Sequence, residues 1–254
     1  EWDEEGGSFR CSPVVQEVVR VRQKDWVDEL RPVFVTLSEQ FTVHSGVHFL
    51  RHNLETVAPF ASYVTSIINH LKAQNDNTLL LYINLANYYQ MRGNLRYAQH
   101  ILRVALRLIK HVQEINPGYD VMIDRARLVY SCLGDVSLLL KEFPAAADYF
   151  TEHLALLSSL ISKKYSDEIS LLSGKVAALI RLGNAHAKQT PLALQKVESC
   201  FQEALALAED MYQKTPDSFR VQEVYTNALS WVGDLRMYQQ QFPEALRVYQ
   251  QMQE

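Results

Sequence analysis

The clearest structural pattern in the sequence lies at residues 79–111, LLLYINLANYYQMRGNLRYAQHILRVALRLIKH. Its apolar and small residues recur at helical spacing in two blocks, and Gly93 and Asn94 separate the blocks. The pattern predicts two helices joined by a tight turn. We expect Ala86 and Ala98 where the two helices cross, because a larger side chain at either position would hold the backbones apart.

The same pattern recurs three more times along the chain. A small residue marks the expected helix crossing in each copy, at spacings of 48, 49 and 50 residues: Ala86, Gly134, Gly183 and Gly233. Self-similarity at a steady period is typical of stacked repeats that bury a continuous core. The sequence therefore predicts four units, at residues 79–126, 127–175, 176–225 and 226–254.

These units resemble the tetratricopeptide repeat, a helix-turn-helix of about 34 residues. The resemblance implies an all-α, right-handed α-solenoid. The period here is longer, and helical periodicity continues after each second helix until a breaker at 116–118, 162–166 or 214–218. We therefore predict helices of about 20 residues, roughly 30 Å long. The turn of the third unit is expected to be two residues longer, around Thr190 and Pro191.

Residues 1–78 do not follow the repeat. We predict a winged-helix remnant or helical lead-in at 1–43, in which residues 9–13 could close a β-hairpin, and a helical connector at 44–78. The strings FRCSPVVQEVVR (9–20) and NLETVAPF (53–60), continuing to residue 71, resemble the winged-helix end and sensor approach of signal-transducing, NOD-like-receptor-type ATPases. That resemblance implies the sensor region of a larger chain. No phosphate-binding GxxxxGK[ST] string is present, so no nucleotide site is expected.

The fourth unit stops inside its second helix at residue 254, without the polar capping element that solenoids use. The expectation is that the natural chain continues or that a neighbouring molecule covers this end.

Charge and composition exclude several classes of function. The chain carries 25 Lys and Arg against 29 Asp and Glu, a net charge of -4, and so lacks the basic footprint of a nucleic-acid binder. Cys11, Cys132 and Cys200 lie far apart, which favours a reducing, cytoplasmic setting. Apolar runs are too short for a membrane span, so no membrane association is expected.

The sequence offers no catalytic, cofactor or metal site. His44, His48 and His52 lie at intervals of four, but Ser45 and Gly46 interrupt the helix that would align them. Asp and Glu residues are spread over separate helical turns, and no GxSxG string occurs. Cys132 and Cys200 fall on apolar positions, where burial is expected rather than nucleophilic use. We therefore predict a chain that is not an enzyme.

In the tetratricopeptide superhelix the first helices line a concave groove that takes protein or peptide ligands. The positions that point inward, carried onto this sequence, are Ile83, Asn87, Gln90, Met91, Ser131, Asp135, Leu138, Asn184, Lys188, Asp234 and Tyr238. Amide and carboxylate side chains among them can pair with a ligand backbone. The carboxylate clamp of heat-shock co-chaperones needs Lys where this chain has Ile83 and Ser131, so that ligand is not expected.

Three functional interpretations follow. The first is a protein-interaction module or scaffold that serves as the ligand-sensing region of a larger signalling ATPase, with oligomerisation depending on the rest of that chain. The second is a free-standing adaptor. The third is a regulatory or accessory subunit that is docked on or fused to an enzyme. An alternative for each groove position is a solvated side chain with no dedicated ligand.

Overall fold

The computed structural model describes residues 2–3, 8–9, 61, 64–65, 76–116 and 119–252. Contacts divide the chain into two units, one ending at Ala73 and the other beginning at Gln74. In the first unit, β1 (Trp2–Asp3) and β2 (Ser8–Phe9) form an antiparallel pair, with Trp2 opposite Phe9. Of the run 9–13 that was expected to close a hairpin, Phe9 lies in β2, and residues 10–13 lie outside the described residues. The rest of the segments that resemble signalling ATPases, apart from residues 61, 64 and 65, lies outside the described residues.

The second unit is a run of helices joined by short turns, as the repeat pattern predicted. In chain order they are α1 (Asp76–Met91), α2 (Leu95–Ile115), α3 (Asp120–Leu139), α4 (Phe143–Ser162), α5 (Glu168–Ala187), α6 (Leu194–Lys214), α7 (Phe219–Tyr238) and α8 (Phe242–Gln251). The five from α3 to α7 have 20 or 21 residues, so the prediction of long helices is confirmed.

Helix ends follow local sequence chemistry. The Asn94 side chain caps α2 by accepting a hydrogen bond from the Tyr97 amide, and Asp167 caps α5 in the same way from Ser170. Proline occupies the first turn of α4 and of α8, where its missing N–H is not needed. The pairs of helices are separated by the segments between α2 and α3, α4 and α5, and α6 and α7. The predicted unit boundaries after residues 126, 175 and 225 were therefore misplaced, since they lie inside α3, α5 and α7. The motif matches that set those boundaries begin in the middle of each first helix.

The core runs between successive helices rather than around one centre. One cluster spans α4 to α7 and includes Phe150, Leu179, Phe201 and Val232, and a smaller one surrounds Leu157. Burial of this kind removes apolar surface from water and stabilises the stack, at roughly 25 cal/mol per Å². Each pair of helices thus depends on its neighbours for stability, as expected for a solenoid.

Polar ties also join one pair of helices to the next. Glu142, which precedes α4, accepts hydrogen bonds from Arg96 at 2.5 Å and from Gln99 at 2.6 Å, both on α2. The hydrogen bond from Gln99, followed by the contact with Arg96, lowers the pKa of Glu142. Further along, Arg236 of α7 donates to Glu198 of α6 at 2.7 Å. These contacts fix the first helix of one pair, or the turn that follows it, against the second helix of the pair before it.

Candidate functional site

One face of the second unit is lined by the first helix of each pair. In the described part of the chain, α1 contacts α3, α3 contacts α5, and α5 contacts α7, while successive second helices make no comparable contacts. First helices that approach one another in this way form the inner side of the stack. The residues predicted to bind a ligand all belong to these helices or to the residue that follows one of them, Lys188.

In the first three pairs, the residue after the small crossing residue lies beside the next repeat. Asn87 of α1 accepts from the thiol of Cys132 of α3, with Sγ and Oδ1 3.7 Å apart. Asp135 of α3 pairs with Arg181 of α5, with Nε and Oδ1 3.3 Å apart. Asn184 of α5 lines a depression together with Trp231 of α7. In each case the partner is the residue two places before the crossing glycine of the next repeat.

Arg181 organises the polar contacts between α3 and α5. Its guanidinium donates to Ser131 Oγ at 3.0 Å as well as pairing with Asp135. Burial raises the pKa of Asp135, and Arg181 opposes that shift by favouring the charged carboxylate. Two of the predicted groove residues, Ser131 and Asp135, are thus already bound by a neighbouring repeat.

The other predicted residues differ in accessibility. Ile83 is only 6% exposed, so its side chain belongs to the core and not to an accessible groove surface. Gln90, Met91 and Leu138 are half-buried. Lys188, Asp234 and Tyr238 are exposed at the end of the stack formed by α5 and α7.

An open depression of about 190 Å³ lies at this end of the inner face. It includes three of the predicted residues, Asn184, Asp234 and Tyr238, which the fold brings together from α5 and α7. Apolar and aromatic side chains make up the rest of the lining: Ala187, Leu192, Leu194, Val197, Phe201, Trp231 and Leu235. The predicted residues of α1 and α3 do not contribute to it.

The long turn of the third pair supplies part of this depression. Residues 188–193 join α5 to α6, whereas three residues join the helices of each other pair. The turn contains a cis peptide bond between Thr190 and Pro191. It brings Leu192 and Leu194 to the depression, where they remain 39% and 36% exposed. An apolar surface left open to water in this way is available to a ligand.

The charged group at the edge of the depression is the Asp234 carboxylate. The Tyr249 hydroxyl of α8 donates to Asp234 Oδ1 at 2.6 Å, and this hydrogen bond raises the pKa of Tyr249 to about 12. The ring of Tyr249 lies against Gly233, next in sequence to Asp234. Helix α8 therefore fixes the position of the carboxylate.

Sequence reasoning missed Arg181, Trp231 and Leu192. The first two share a position in the repeat, two residues before Gly183 and Gly233, which the groove assignment did not include. A comparison of that position across the four units would have found one Arg and one Trp. Leu192 carried a weaker signal, as an apolar residue within a turn containing proline.

The described residues hold no cluster of metal ligands. No three His, Cys, Asp or Glu side chains among them come together as metal ligands. Burial raises the pKa of Cys132 to about 12 and that of Cys200 to about 11, which disfavours the reactive thiolates. The three histidines at 44, 48 and 52 lie outside the described residues. No helix in the described part of the chain is long and apolar enough to cross a membrane.

No family model and no curated protein matches the sequence. Solved structures do match the fold. BtubC (BKLC) from P. vanneervenii matches with a TM-score of 0.66 and 15% identity, over 96% of this chain and 91% of that chain. A single-substitution variant of a kinesin light chain with nearly identical TPR-like repeats, from Podosopora anserina, matches with a TM-score of 0.56 and 14% identity, over 91% and 96%. A second structure of the Podosopora anserina repeats gives 0.54 and 14%, over 89% and 94%.

These similarities and the helix pairs described above agree on the architecture. Because the identities are low, they establish the fold alone. The chain has the all-α solenoid fold of tetratricopeptide-like repeats.

Proposed function

We propose that residues 79–254 form a protein-interaction module that binds an extended peptide segment through the depression between α5, α6 and α7. The observation that carries this proposal is the combination of an open apolar surface with two polar residues, Asn184 and Asp234, in its lining. Peptide-binding pockets typically pair a hydrophobic floor with a few polar groups that set the ligand's orientation.

The size of the depression suits one side chain. Its volume of about 190 Å³ is close to that of cavities of about 150 Å³ that bind benzene. One large aliphatic or aromatic side chain would therefore fill it. Trp231 and Phe201, whose ring centroids are 5.6 Å apart, give such a side chain a firm aromatic surface.

The polar groups suit the main chain on either side of that anchor. The amide of Asn184 can both donate to and accept from a peptide backbone, which makes it a suitable partner for an extended segment. The corresponding amide of Asn87 contacts Cys132, and Asp135 is bound to Arg181. We therefore assign ligand binding to the third and fourth pairs of helices and a stacking role to the polar residues of the first two.

The wider setting rests on the sequence resemblance alone. We propose that the module senses a ligand for a larger signalling ATPase in the cytoplasm, and that it has no catalytic role of its own. A free-standing adaptor and a regulatory subunit of an enzyme are the competing settings. The full reading frame separates them, since a nucleotide-binding domain upstream supports the first and a catalytic domain supports the third.

Selection from a random peptide library displayed on phage tests the binding proposal. We expect the wild-type chain to enrich peptides that share an apolar residue, and Tyr238→Ala to weaken their binding at least several-fold. Phe219→Ala is the matched control, because Phe219 lies on the same helix and is 79% exposed but does not line the depression. Failure to enrich peptides, or equal losses for the two variants, would overturn the proposal.

A further inference from the structure

The depression has a single charged lining residue. Of its ten lining residues, eight are apolar or aromatic, and Asn184 is neutral, which leaves only the carboxylate of Asp234. Lys188 follows Ala187, which lines the depression, but is not itself part of the lining. The immediate electrostatic environment offered to a ligand is therefore negative.

No cation of the described residues neutralises Asp234. Among these residues, its hydrogen-bond partner is the neutral hydroxyl of Tyr249, which donates to Oδ1. Arg236 is two residues away in sequence, but its guanidinium donates to Glu198, Gln239 and Gln241. This Arg is thus held toward α6 and the turn before α8. The carboxylate remains available to a cation from outside the chain.

A ligand that covers the depression would remove water from this carboxylate. Loss of solvent around a charged group is costly unless an opposite charge or hydrogen-bond donor replaces the water. Any peptide whose residues beside the carboxylate are apolar or acidic bears this desolvation cost. The Asp234 carboxylate therefore selects between partners. A Lys or Arg near the anchoring residue meets the requirement.

We infer that the partner segment carries a Lys or Arg that is adjacent in sequence to the apolar residue filling the depression, or separated from it by one residue. Asp234 binds this cation. The inference rests on the proposed function. An extended chain advances about 3.3 Å per residue, so a cation that reaches the edge of the depression must lie close in sequence to the anchor.

An oriented peptide library tests the inference. Each short synthetic peptide has one fixed Leu or Phe, and degenerate positions on both sides of it. The wild-type chain should retain peptides enriched in Lys and Arg close to the fixed residue. In pairs of matched peptides with either Lys or Gln at one such position, we expect the Lys peptide to bind about two- to five-fold more tightly. This is the range of a partly exposed ion pair. Asp234→Asn should abolish this preference, and Asp234→Lys should reverse it towards acidic residues.

Tyr249→Phe is the matched control, since it removes the hydrogen bond from Tyr249 to Asp234 while leaving the carboxylate in place. It should retain the basic preference, as should Glu223→Gln, which removes an exposed acid on the same helix as Asp234 but outside the lining. Thermal unfolding of each variant shows whether it is folded.

The possible outcomes separate the two proposals. Retention of apolar peptides without a charge preference, or with an acidic preference that depends on Lys188, overturns the inference but leaves the binding function intact. Failure of the wild-type chain to retain any peptide overturns both.

Discussion

Gly134 of α3 lies against the ring of Phe150 of α4, so closely that a methyl group at Gly134 would meet the ring at less than 3.0 Å. The same relationship joins Gly183 to Phe201 and Gly233 to Tyr249. In the first repeat the corresponding residues are Ala86 and Leu102, a larger crossing residue with a smaller partner. The size of one side chain therefore limits the size of the other at each crossing.

Gly134→Ala should destabilise the stack by about 1–3 kcal/mol, because the added methyl group overpacks the contact with buried Phe150. Gly174→Ala is the control, since its methyl group would lie 3.4 Å from Leu157 and alanine favours a helix. We expect that variant to be neutral or more stable. Urea unfolding followed by circular dichroism measures both.

The double variant Gly134→Ala, Phe150→Leu reproduces the pair found in the first repeat. It should recover part of the stability lost in Gly134→Ala, because the smaller side chain leaves room for the methyl group. Additive losses in the double variant would show that the two residues are not coupled in this way.

The turns between paired helices give a second prediction. Gly93, Lys141 and Gln240 have φ angles of 77°, 62° and 61°, in the left-handed region that favours glycine. Gly93→Ala should cost about 1 kcal/mol through the backbone alone, since nothing lies within 4 Å of the added methyl group. Lys141→Gly should have the opposite effect and stabilise by up to about 1 kcal/mol. Thermal unfolding of the two variants checks the signs, and a destabilised Lys141→Gly would contradict this explanation.

His153 gives the chain a specific dependence on pH. Its side chain is 3% exposed, and neither ring nitrogen has a hydrogen-bond partner among the described residues. Burial, with further contributions from Arg127 of α3 and Arg181 of α5, lowers its pKa from 6.5 to about 3. Below pH 6.5 the unfolded chain binds a proton at this residue that the folded chain does not, so stability falls as the pH falls towards 3.

The expected slope is about 1.4 kcal/mol per pH unit between pH 6 and pH 5, above the range in which most carboxylates titrate. His153→Leu should remove this slope and raise stability at neutral pH, because it also removes two unpaired polar atoms. Urea unfolding of the wild type and the variant at several pH values measures this slope. An unchanged slope in the variant would rule out His153 as the cause.

The ion pair between α3 and α5 should stabilise the stack modestly. Arg181 and Asp135 are 41% and 31% exposed, so solvent screens much of their attraction. Arg181→Met, which retains most of the side-chain packing, should therefore lower the free energy of unfolding by about 1 kcal/mol. Lys214→Met instead removes an ion pair within α6. This variant should lose less free energy of unfolding than Arg181→Met. Equal effects of the two variants on chemical unfolding would contradict a role for Arg181 between repeats.

The fold was accessible from the sequence because its signals are local. Small residues at a steady period, turns marked by Gly93 and Pro144, and apolar periodicity up to each breaker predicted helix pairs of the observed length. The site was only partly accessible. Which residues of neighbouring first helices meet depends on the angle between repeats, which the spacing of motif residues along the sequence does not specify. Sequence position alone could not therefore show that Asp135 pairs with Arg181.

Two other features depend on conformation rather than on pattern. The depression forms because residues 188–193 bring Leu192 to a particular place, and the period of the repeat does not specify the path of a long turn. The burial of His153 follows from its position on the face of α4 that its neighbours cover, and histidine as a residue type is intermediate between buried and exposed.

Photo-crosslinking shows whether a bound peptide lies at the depression. The photoreactive residue p-benzoylphenylalanine replaces Tyr238 in one sample and Phe219 in another, and each is irradiated with a labelled peptide enriched by the wild-type chain. Both positions lie on α7 and are well exposed, at 68% and 79%. We predict a crosslink to the peptide from position 238 and none above background from position 219. Equal crosslinking from both positions, or crosslinking from position 219 alone, would contradict the account.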